Sequence, residues 1–127
     1  MKERGEIVEL AFSLKAALKG FIVSEPLGDS AKYDRILDVD GKLSRVQIKG
    51  TSFTQNGASY QCCVSYGSSE KRAYTKKDCD FVATYIIPRD VWYILPVESL
   101  KGKKKIRVRA DSSCKYLQYK ERWDLFY

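Results

Sequence analysis

Histidine is absent from this 127-residue sequence, and its absence removes whole classes of chemistry. Triads with a histidine base and metal centres bound through imidazole are excluded, so acid–base work must fall to carboxylates, lysine, water or a metal ion. Only four cysteines occur, without the CxxC spacing of zinc sites or the density of a disulfide-stabilised secreted domain. They are predicted to be small buried side chains in a reducing compartment.

Long apolar runs are missing as well. No segment approaches the roughly 18 apolar residues of a membrane span, and the first residues do not have the pattern of a secretory signal. The sequence therefore predicts a cytoplasmic protein with no membrane partner. It also contains no internal repeat or convincing linker, so residues 1–127 are predicted to form a single domain.

Positive charge is in excess and is unevenly distributed. Lysine and arginine total 23 against 16 acidic residues, which gives a formal charge of +7. This balance favours a polyanionic partner, although a solvated basic surface has the same composition. Two segments, 67–77 and 101–109, carry the basic residues that would contact phosphates if this partner is a nucleic acid: Lys71, Arg72, Lys76, Lys77, Lys103, Lys104 and Lys105.

An amphipathic helix is predicted over residues 3–19 and ends at Gly20. Its main apolar stripe consists of Ile7, Leu10, Ala11, Leu14, Ala17 and Leu18. A narrow polar sector with Glu6, Glu9 and Ser13 separates this stripe from a second apolar edge made by Val8, Phe12 and Ala16. Acids flanked by packing surface are candidates for a functional site, whereas the alternative is two ordinary surface glutamates.

A β-hairpin is predicted over residues 33–49. Two strand-like runs, 33–39 and 42–49, are separated by Asp40-Gly41, a pair typical of a two-residue type I′ turn. In the register that this turn sets, Val39 faces Lys42 across the hairpin. An odd-length turn or a bulge would change that register.

This register brings three polar side chains together. Asp34 lies opposite Gln47 on one face of the sheet, and Lys49 follows two residues later on the same face. The other face is predicted to be buried and carries Leu37, Val39, Val46 and Ile48.

Further strands complete the predicted core. They are a strand over 59–66 and a second hairpin whose strands, 80–87 and 91–95, join through Pro88-Arg89-Asp90. A closing helix is predicted from Tyr116 onward.

The polar trio suits phosphodiester hydrolysis. This reaction needs an activated water, neutralisation of charge at phosphorus and stabilisation of the leaving oxygen, and Mg²⁺ can contribute to all three. Mg²⁺ is usually held by one or two carboxylates together with water and phosphate oxygens. Asp34 and one glutamate of the first helix, Glu6 or Glu9, meet that requirement. Lys49 adds a positive charge that can orient the water and stabilise developing negative charge.

Three short motifs occur in order: Gly5-x-x-x-Glu9, Tyr33-Asp34 and Val46-Gln47-Ile48-Lys49. In this order they resemble the PD-(D/E)xK nuclease superfamily. The resemblance is greatest to the small homing endonucleases encoded in bacterial group I introns, in which glutamine replaces the second acid. Segments 74–81 and 92–97 share it, so that it covers roughly residues 3–100.

The resemblance implies a restriction-endonuclease-like α/β (α+β) core with a mixed central β-sheet flanked by helices. It selects Glu9 over Glu6, because Glu9 has the family's spacing from Gly5. It implies Mg²⁺, or Mn²⁺ in its place, bound by Glu9, Asp34 and the carbonyl of Ile48. The implied catalytic residues are Glu9, Asp34, Gln47 and Lys49, in which Gln47 departs from the superfamily because an amide binds metal more weakly than a carboxylate.

These features predict a metal-dependent endonuclease of the homing type that cuts double-stranded DNA. A four-way (Holliday) junction resolvase is an alternative, although Gln47 argues against it. A catalytically inactive DNA-binding protein with the nuclease fold is an alternative from another class. Because one active centre cuts one strand, a double-strand break predicts a homodimer or homotetramer.

Overall fold

The structure is a computed structural model that describes residues 5–52, 54, 58–109 and 114–127 in full and the backbone of residues 2–4 and 55. Helix α1 spans Lys2–Leu18. The strands are β1 Ile22–Ser24, β2 Arg35–Val39, β3 Lys42–Thr51, β4 Thr54–Gln55, β5 Ser59–Cys63, β6 Ser65–Tyr66, β7 Arg72–Ala73, β8 Phe81–Ile86, β9 Val91–Pro96 and β10 Lys105–Arg109. Short 3-10 turns lie at Ile87–Arg89, Val97–Leu100, Leu117–Tyr119 and Trp123–Phe126.

Helix α1 ends at the predicted glycine. Gly20 has a φ of 88°, and its N–H donates to the carbonyl of Ala17, while the N–H of Phe21 donates to the carbonyl of Ala16. This pair of bonds is the Schellman motif, which satisfies the last helical carbonyls and turns the chain into β1. The helix is too short and too polar to cross a membrane.

The central sheet has five strands in the order β1-β2-β3-β8-β9. Its β3–β8 pair is parallel and the other pairs are antiparallel, so the sheet is mixed, as predicted. The β2–β3 register is confirmed, since Val39 pairs with Lys42 and Arg35 with Val46. Asp40 and Gly41 both have positive φ, of 53° and 87°, which a type I′ turn requires.

The central sheet is covered on both faces. On one face, α1 and the C-terminal turns bury a core that is rich in aromatic residues, with Phe12 stacked on Trp123 at 5.2 Å between ring centroids. On the other face, a second core lies beneath the three-stranded sheet β10-β5-β4. The predicted α/β fold class is confirmed, but within the described residues α1 is the single α-helix, and the second covering layer is β-sheet.

Only one of the two apolar edges predicted to flank the acids of α1 with packing surface is buried. Val8, Phe12 and Ala16 form the buried edge, as predicted, whereas the prediction is wrong for the wider stripe that includes Ile7 and Leu10, which is exposed. The helical pattern does not distinguish the two edges, but the sheet selects the edge whose aromatic ring fits among Trp92, Trp123 and Phe126.

Two smaller expectations are also corrected. The closing segment forms 3-10 turns instead of an α-helix, because Glu121 between them has a φ of 52° and its N–H donates to the carbonyl of Trp92 at 2.7 Å. Of the cysteines, Cys62 and Cys79 are buried as predicted, whereas Cys63 is exposed and Cys114 is partly buried; none forms a disulfide.

Candidate active site

The hairpin holds Asp34 against the backbone of β3. The N–H of Asp34 donates to the carbonyl of Val46 at 2.9 Å, and its carboxylate accepts the N–H of Ile48 at 2.9 Å. Asp34 therefore extends the ladder of β2 by one residue and lies beside Gln47. Both contacts are with β3, so the position of this carboxylate depends on local hairpin geometry.

An open cleft of about 490 Å³ lies along the second half of β3, from Gln47 to Thr51, and continues to Ser52. Four side chains predicted from the sequence line it: Glu9, Asp34, Gln47 and Lys49. Ile48, the fifth predicted residue, also lines the cleft. The structure thus brings one residue of α1 together with the polar face of the hairpin.

A buried arginine, Arg35, contacts Glu9 where this side chain lines the cleft. Nη1 of Arg35 contacts Oε1 of Glu9 at 3.1 Å and donates to the backbone carbonyl of Asp34 at 2.8 Å, while its Nε donates to Oγ of Ser13 at 2.8 Å. Glu25 adds a second carboxylate at 3.2 Å from the same nitrogen. Arg35 is only 6% exposed, and it therefore links α1 to the start of β2. Glu6 is exposed and does not line the cleft.

Gly50 lets α1 approach β3 closely. A Cβ atom at this position would lie 2.8 Å from Cγ2 of Val8 and 3.2 Å from Cγ1. Such contacts are shorter than ordinary van der Waals separations. Because Val8 precedes Glu9, the missing side chain at Gly50 sets how near Glu9 comes to β3.

The two carboxyls are electrostatically disfavoured as anions. Partial burial raises the pKa of Asp34, against the lowering effect of the Ile48 N–H and of the Arg35 and Lys49 charges. Burial, and then the charge of Asp34, raises the pKa of Glu9, although Arg35 lowers it. A bound cation would stabilise the charged form of both of these neighbouring acids.

The oxygen donors of the cleft fit Mg²⁺ or Mn²⁺. They are the carboxylates of Glu9 and Asp34, the amide of Gln47 and the backbone carbonyl of Ile48, and such a set suits a hard cation. Nε2 of Gln47 approaches that carbonyl at 3.4 Å. No group of three or more His, Cys, Asp or Glu side chains suited to a metal occurs within the described part of the chain. Two carboxylates are enough for Mg²⁺ completed by water and phosphate.

Lys49 brings positive charge to the cleft. Its Nζ lies 5.7 Å from the ring centroid of Tyr74, which holds the ammonium by a cation–π contact. The thiol of Cys63 is close enough to respond to this charge. Burial raises the pKa of Cys63, but hydrogen bonds to Ser65 and the charges of Lys49 and Lys71 bring it below its usual value.

The predicted basic residues divide into three groups. Lys71 lies near enough to Cys63 for its charge to lower the pKa of that thiol, and Lys105 pairs with Cys63 across β5 and β10. Lys76 is already paired with Asp80 at 3.7 Å and Glu98 at 3.6 Å. The others are exposed on strands or loops: Arg72, Lys77, Lys103 and Lys104.

Sequence reasoning did not identify Arg35 or Gly50. A signal for Arg35 was present, since it lies two residues before Leu37 and therefore on the same predicted buried face as Leu37 and Val39. An arginine on a buried face needs acidic partners. Gly50 had no comparable signal, because its importance depends on the distance between α1 and β3.

Comparisons with known proteins identify the family and agree with the fold. The sequence model of the PD-(D/E)XK endonuclease family matches residues 1–126. Protein 5.3 of Escherichia phage T7 is 29% identical over 111 residues, which cover 85% of this chain and 92% of the phage protein. The solved structure of the bacterial homing endonuclease I-Ssp6803I superposes with a TM-score of 0.86 at 27% identity, covering 98% of this chain and 91% of that one. The chain therefore belongs to the PD-(D/E)XK endonuclease family.

Proposed function

We propose that this chain is a single nuclease domain that uses Mg²⁺ or Mn²⁺ to hydrolyse phosphodiester bonds in double-stranded DNA. The observation that carries the proposal is the meeting of Glu9, Asp34, Gln47 and Lys49 in one open cleft. Likeness to a bacterial homing endonuclease over nearly the whole chain supports a homing-type activity.

Each residue of the cleft has a distinct part in this proposal. Glu9, Asp34 and the Ile48 carbonyl would hold the cation, and the side chain of Gln47 lines the same cleft. When bound, the cation polarises the phosphate and makes water a better nucleophile at neutral pH. Lys49 orients the attacking water and stabilises negative charge on the phosphate oxygens during attack. The contact with Arg35 keeps Glu9 at the cleft.

Cleavage assays test this function. Supercoiled plasmid, linear duplex and a four-way junction are incubated with Mg²⁺, Mn²⁺ or EDTA, and the ends are sequenced. We expect metal-dependent cleavage of duplex DNA that Lys49→Ala abolishes with DNA affinity nearly unchanged. Lys42→Ala, the same change on the same strand but at its other end, is the matched control. Preferential cutting of the junction indicates a resolvase, and metal-independent binding without cleavage under any ion indicates an inactive binding protein.

The DNA path is proposed to cross the basic residues on both sides of the cleft. Neutralising Lys103, Lys104 and Lys105 together should lower the slope of log affinity against log salt by about three, since each lost phosphate contact removes roughly one. Lys76→Ala should change the slope less, because Asp80 and Glu98 already pair with this lysine. Affinity titrations at several salt concentrations measure both slopes. Unchanged affinity and slope in the triple variant would move the DNA path to residues 71–77.

Two active centres are needed for a double-strand break, whereas one chain supplies one cleft. We therefore propose that the protein acts as a homodimer or as a homotetramer built from such dimers.

A further inference from the structure

A buried aromatic ring makes the contact that directs Lys49. The ammonium lies 5.7 Å from the ring centroid of Tyr74, within the limit of about 6 Å for a cation–π interaction. Among the residues that the structure describes, this ammonium takes part in no hydrogen bond or ion pair. A lysine ammonium sits on a long flexible stem, so its position must be fixed by what it touches. The Tyr74 ring is therefore the group that determines where this charge lies.

The Tyr74 ring is itself fixed. It is 5% exposed, belongs to the core beneath the three-stranded sheet and packs on Tyr66 at 5.2 Å between ring centroids. Burial, and then the charge of Asp34, raises the pKa of the Tyr74 phenol. The side chain therefore lies within electrostatic reach of Asp34 while its ring contacts Lys49.

Tyr74 begins a capped turn, residues 74–80, which we call the Tyr74 turn. The carboxylate of Asp78 accepts the N–H of Thr75 at 2.8 Å and its hydroxyl at 3.2 Å. In return, the N–H of Asp78 donates to the carbonyl of Thr75 at 2.9 Å. Such reciprocal bonds between a side chain and the nearby backbone close a short turn and limit its movement.

Arg45 fastens the Tyr74 turn to β3. Its guanidinium donates to the carbonyls of Lys76 at 2.7 Å and Lys77 at 3.0 Å, and it pairs with the carboxylate of Asp80 at 3.2 Å. Arg45 and Lys49 lie on the same face of β3, about 13 Å apart, because four strand residues separate them. The turn is thus anchored to β3 through Arg45 and contacts the same strand again through Tyr74 and Lys49.

We propose that Tyr74 is a positioning residue of the cleft, whose ring holds the Lys49 ammonium where it acts on the reacting phosphate. Tyr74 does not line the cleft, so it acts through Lys49. The inference rests on the proposed function, because Lys49 has this part only in a chain that cuts DNA. Weakening the ring's attraction for a cation should slow the chemical step and leave DNA affinity unchanged, since the lysine charge remains but is no longer directed.

A series of rings at position 74 tests this role in the full chain. Phenylalanine, difluorophenylalanine and pentafluorophenylalanine have nearly the same shape, but each added fluorine weakens the negative face of the ring. In single-turnover cleavage of plasmid with Mg²⁺ at saturating protein, Tyr74→Phe should stay within about twofold of wild type, because the hydroxyl is not part of the contact. Pentafluorophenylalanine should be about tenfold slower than phenylalanine, with difluorophenylalanine between them.

Tyr60 offers the matched control. It is 4% exposed and lies in the same core as Tyr74, but its ring is not in contact with Lys49. Phenylalanine and pentafluorophenylalanine at position 60 should therefore cleave at equal rates. Thermal unfolding and DNA affinity are measured for every variant, so that a loss of rate from instability or weaker binding is recognised.

Proton NMR of the metal-free protein tests the contact without DNA. The ring current of Tyr74 should shift the ε-methylene signal of Lys49 upfield, and Lys49→Arg identifies this signal by removing it. We expect the shift to persist in Tyr74→Phe and to vanish in Tyr74→Leu.

An unshifted Lys49 signal in the wild type, or equal cleavage rates for phenylalanine and pentafluorophenylalanine at position 74, would overturn the proposal. A wild type that shows the shift but cuts no DNA contradicts the proposed function and leaves the holding of Lys49 by Tyr74 in place. An active enzyme whose rate does not follow the fluorine series contradicts the role of Tyr74 alone.

Discussion

The candidate site has two halves that are held in place by different means. Asp34, Gln47 and Lys49 belong to one hairpin, and their relative positions follow from a two-residue turn and the backbone bonds beside it. Glu9 comes from a helix that is distant in sequence, and it reaches the cleft through Arg35 and the space at Gly50. The first half depends on local geometry, and the second depends on tertiary packing. The two halves should therefore respond differently to mutation.

The largest difference is expected between the two carboxylates. Asp34→Asn should lower cleavage by about 10²–10³-fold, because it removes a charge that the hairpin holds rigidly in the cleft. Glu9→Gln should lower it by about tenfold, because Glu9 shares its carboxylate with Arg35 before metal binds. Single-turnover cleavage and Mn²⁺ titration calorimetry measure both effects. A greater loss from Glu9→Gln would reverse the comparison.

Arg35→Met tests whether the arginine links the two halves. The substitution leaves Glu9 without its buried partner and should lower the free energy of unfolding by about 2 kcal/mol. This value is smaller than the cost of breaking a fully buried ion pair, because Glu9 and Glu25 are partly exposed to solvent. Mn²⁺ affinity should fall by about tenfold, as when other groups that orient metal ligands are removed. Urea denaturation and calorimetry give the two values. Arg35→Lys keeps the charge but cannot make both the Ser13 and the Asp34 hydrogen bonds. Its unfolding free energy and its Mn²⁺ affinity should therefore lie between those of the wild type and those of Arg35→Met.

Gly50→Ala perturbs the helix half and leaves the hairpin intact. The added methyl group would clash with Val8 and should cost about 1–2 kcal/mol, with weaker cleavage because Glu9 is moved. Val8→Ala combined with Gly50→Ala should restore part of the cleavage rate by making room for the methyl group. If Gly50→Ala cleaves as the wild type does, the close approach of α1 to β3 is not needed for the site.

The smallest effect concerns pH. Burial raises the pKa of Asp34 above its ordinary value of 3.8, so folding favours the protonated acid. The contribution of Asp34 to folding stability is fully present below the ordinary pKa and is lost as pH rises through the raised pKa of the folded state. In EDTA, Asp34→Asn should therefore unfold at a higher temperature than wild type at neutral pH, and this difference should shrink towards acidic pH. Thermal unfolding across that range measures it, with the exposed Asp29→Asn as control.

Prediction from the sequence succeeded where neighbours in the chain decide the structure. The end of α1 at Gly20, the Asp40-Gly41 turn and the pairing of Val39 with Lys42 each depend on backbone preferences within a few residues. Prediction failed for one of the two apolar edges of α1, the wider stripe, which is exposed. Both sides of this helix carry apolar residues, and the aromatic residues that select Phe12 come from β9 and the C-terminal turns.

By itself, the sequence determined the hairpin that sets Asp34 beside Gln47 and Lys49, because period-2 alternation and turn chemistry act over short distances. The family and its mixed α/β core followed from the resemblance of three short motifs in order. Only the tertiary structure decided that Glu9 lines the cleft, that Arg35 holds it there and that the wider apolar stripe of α1 remains exposed. These features depend on shape complementarity between elements far apart in the chain. That complementarity depends on the volumes of the side chains and on the distances between them. The pattern of hydrophobic residues along the sequence carries no information about those distances.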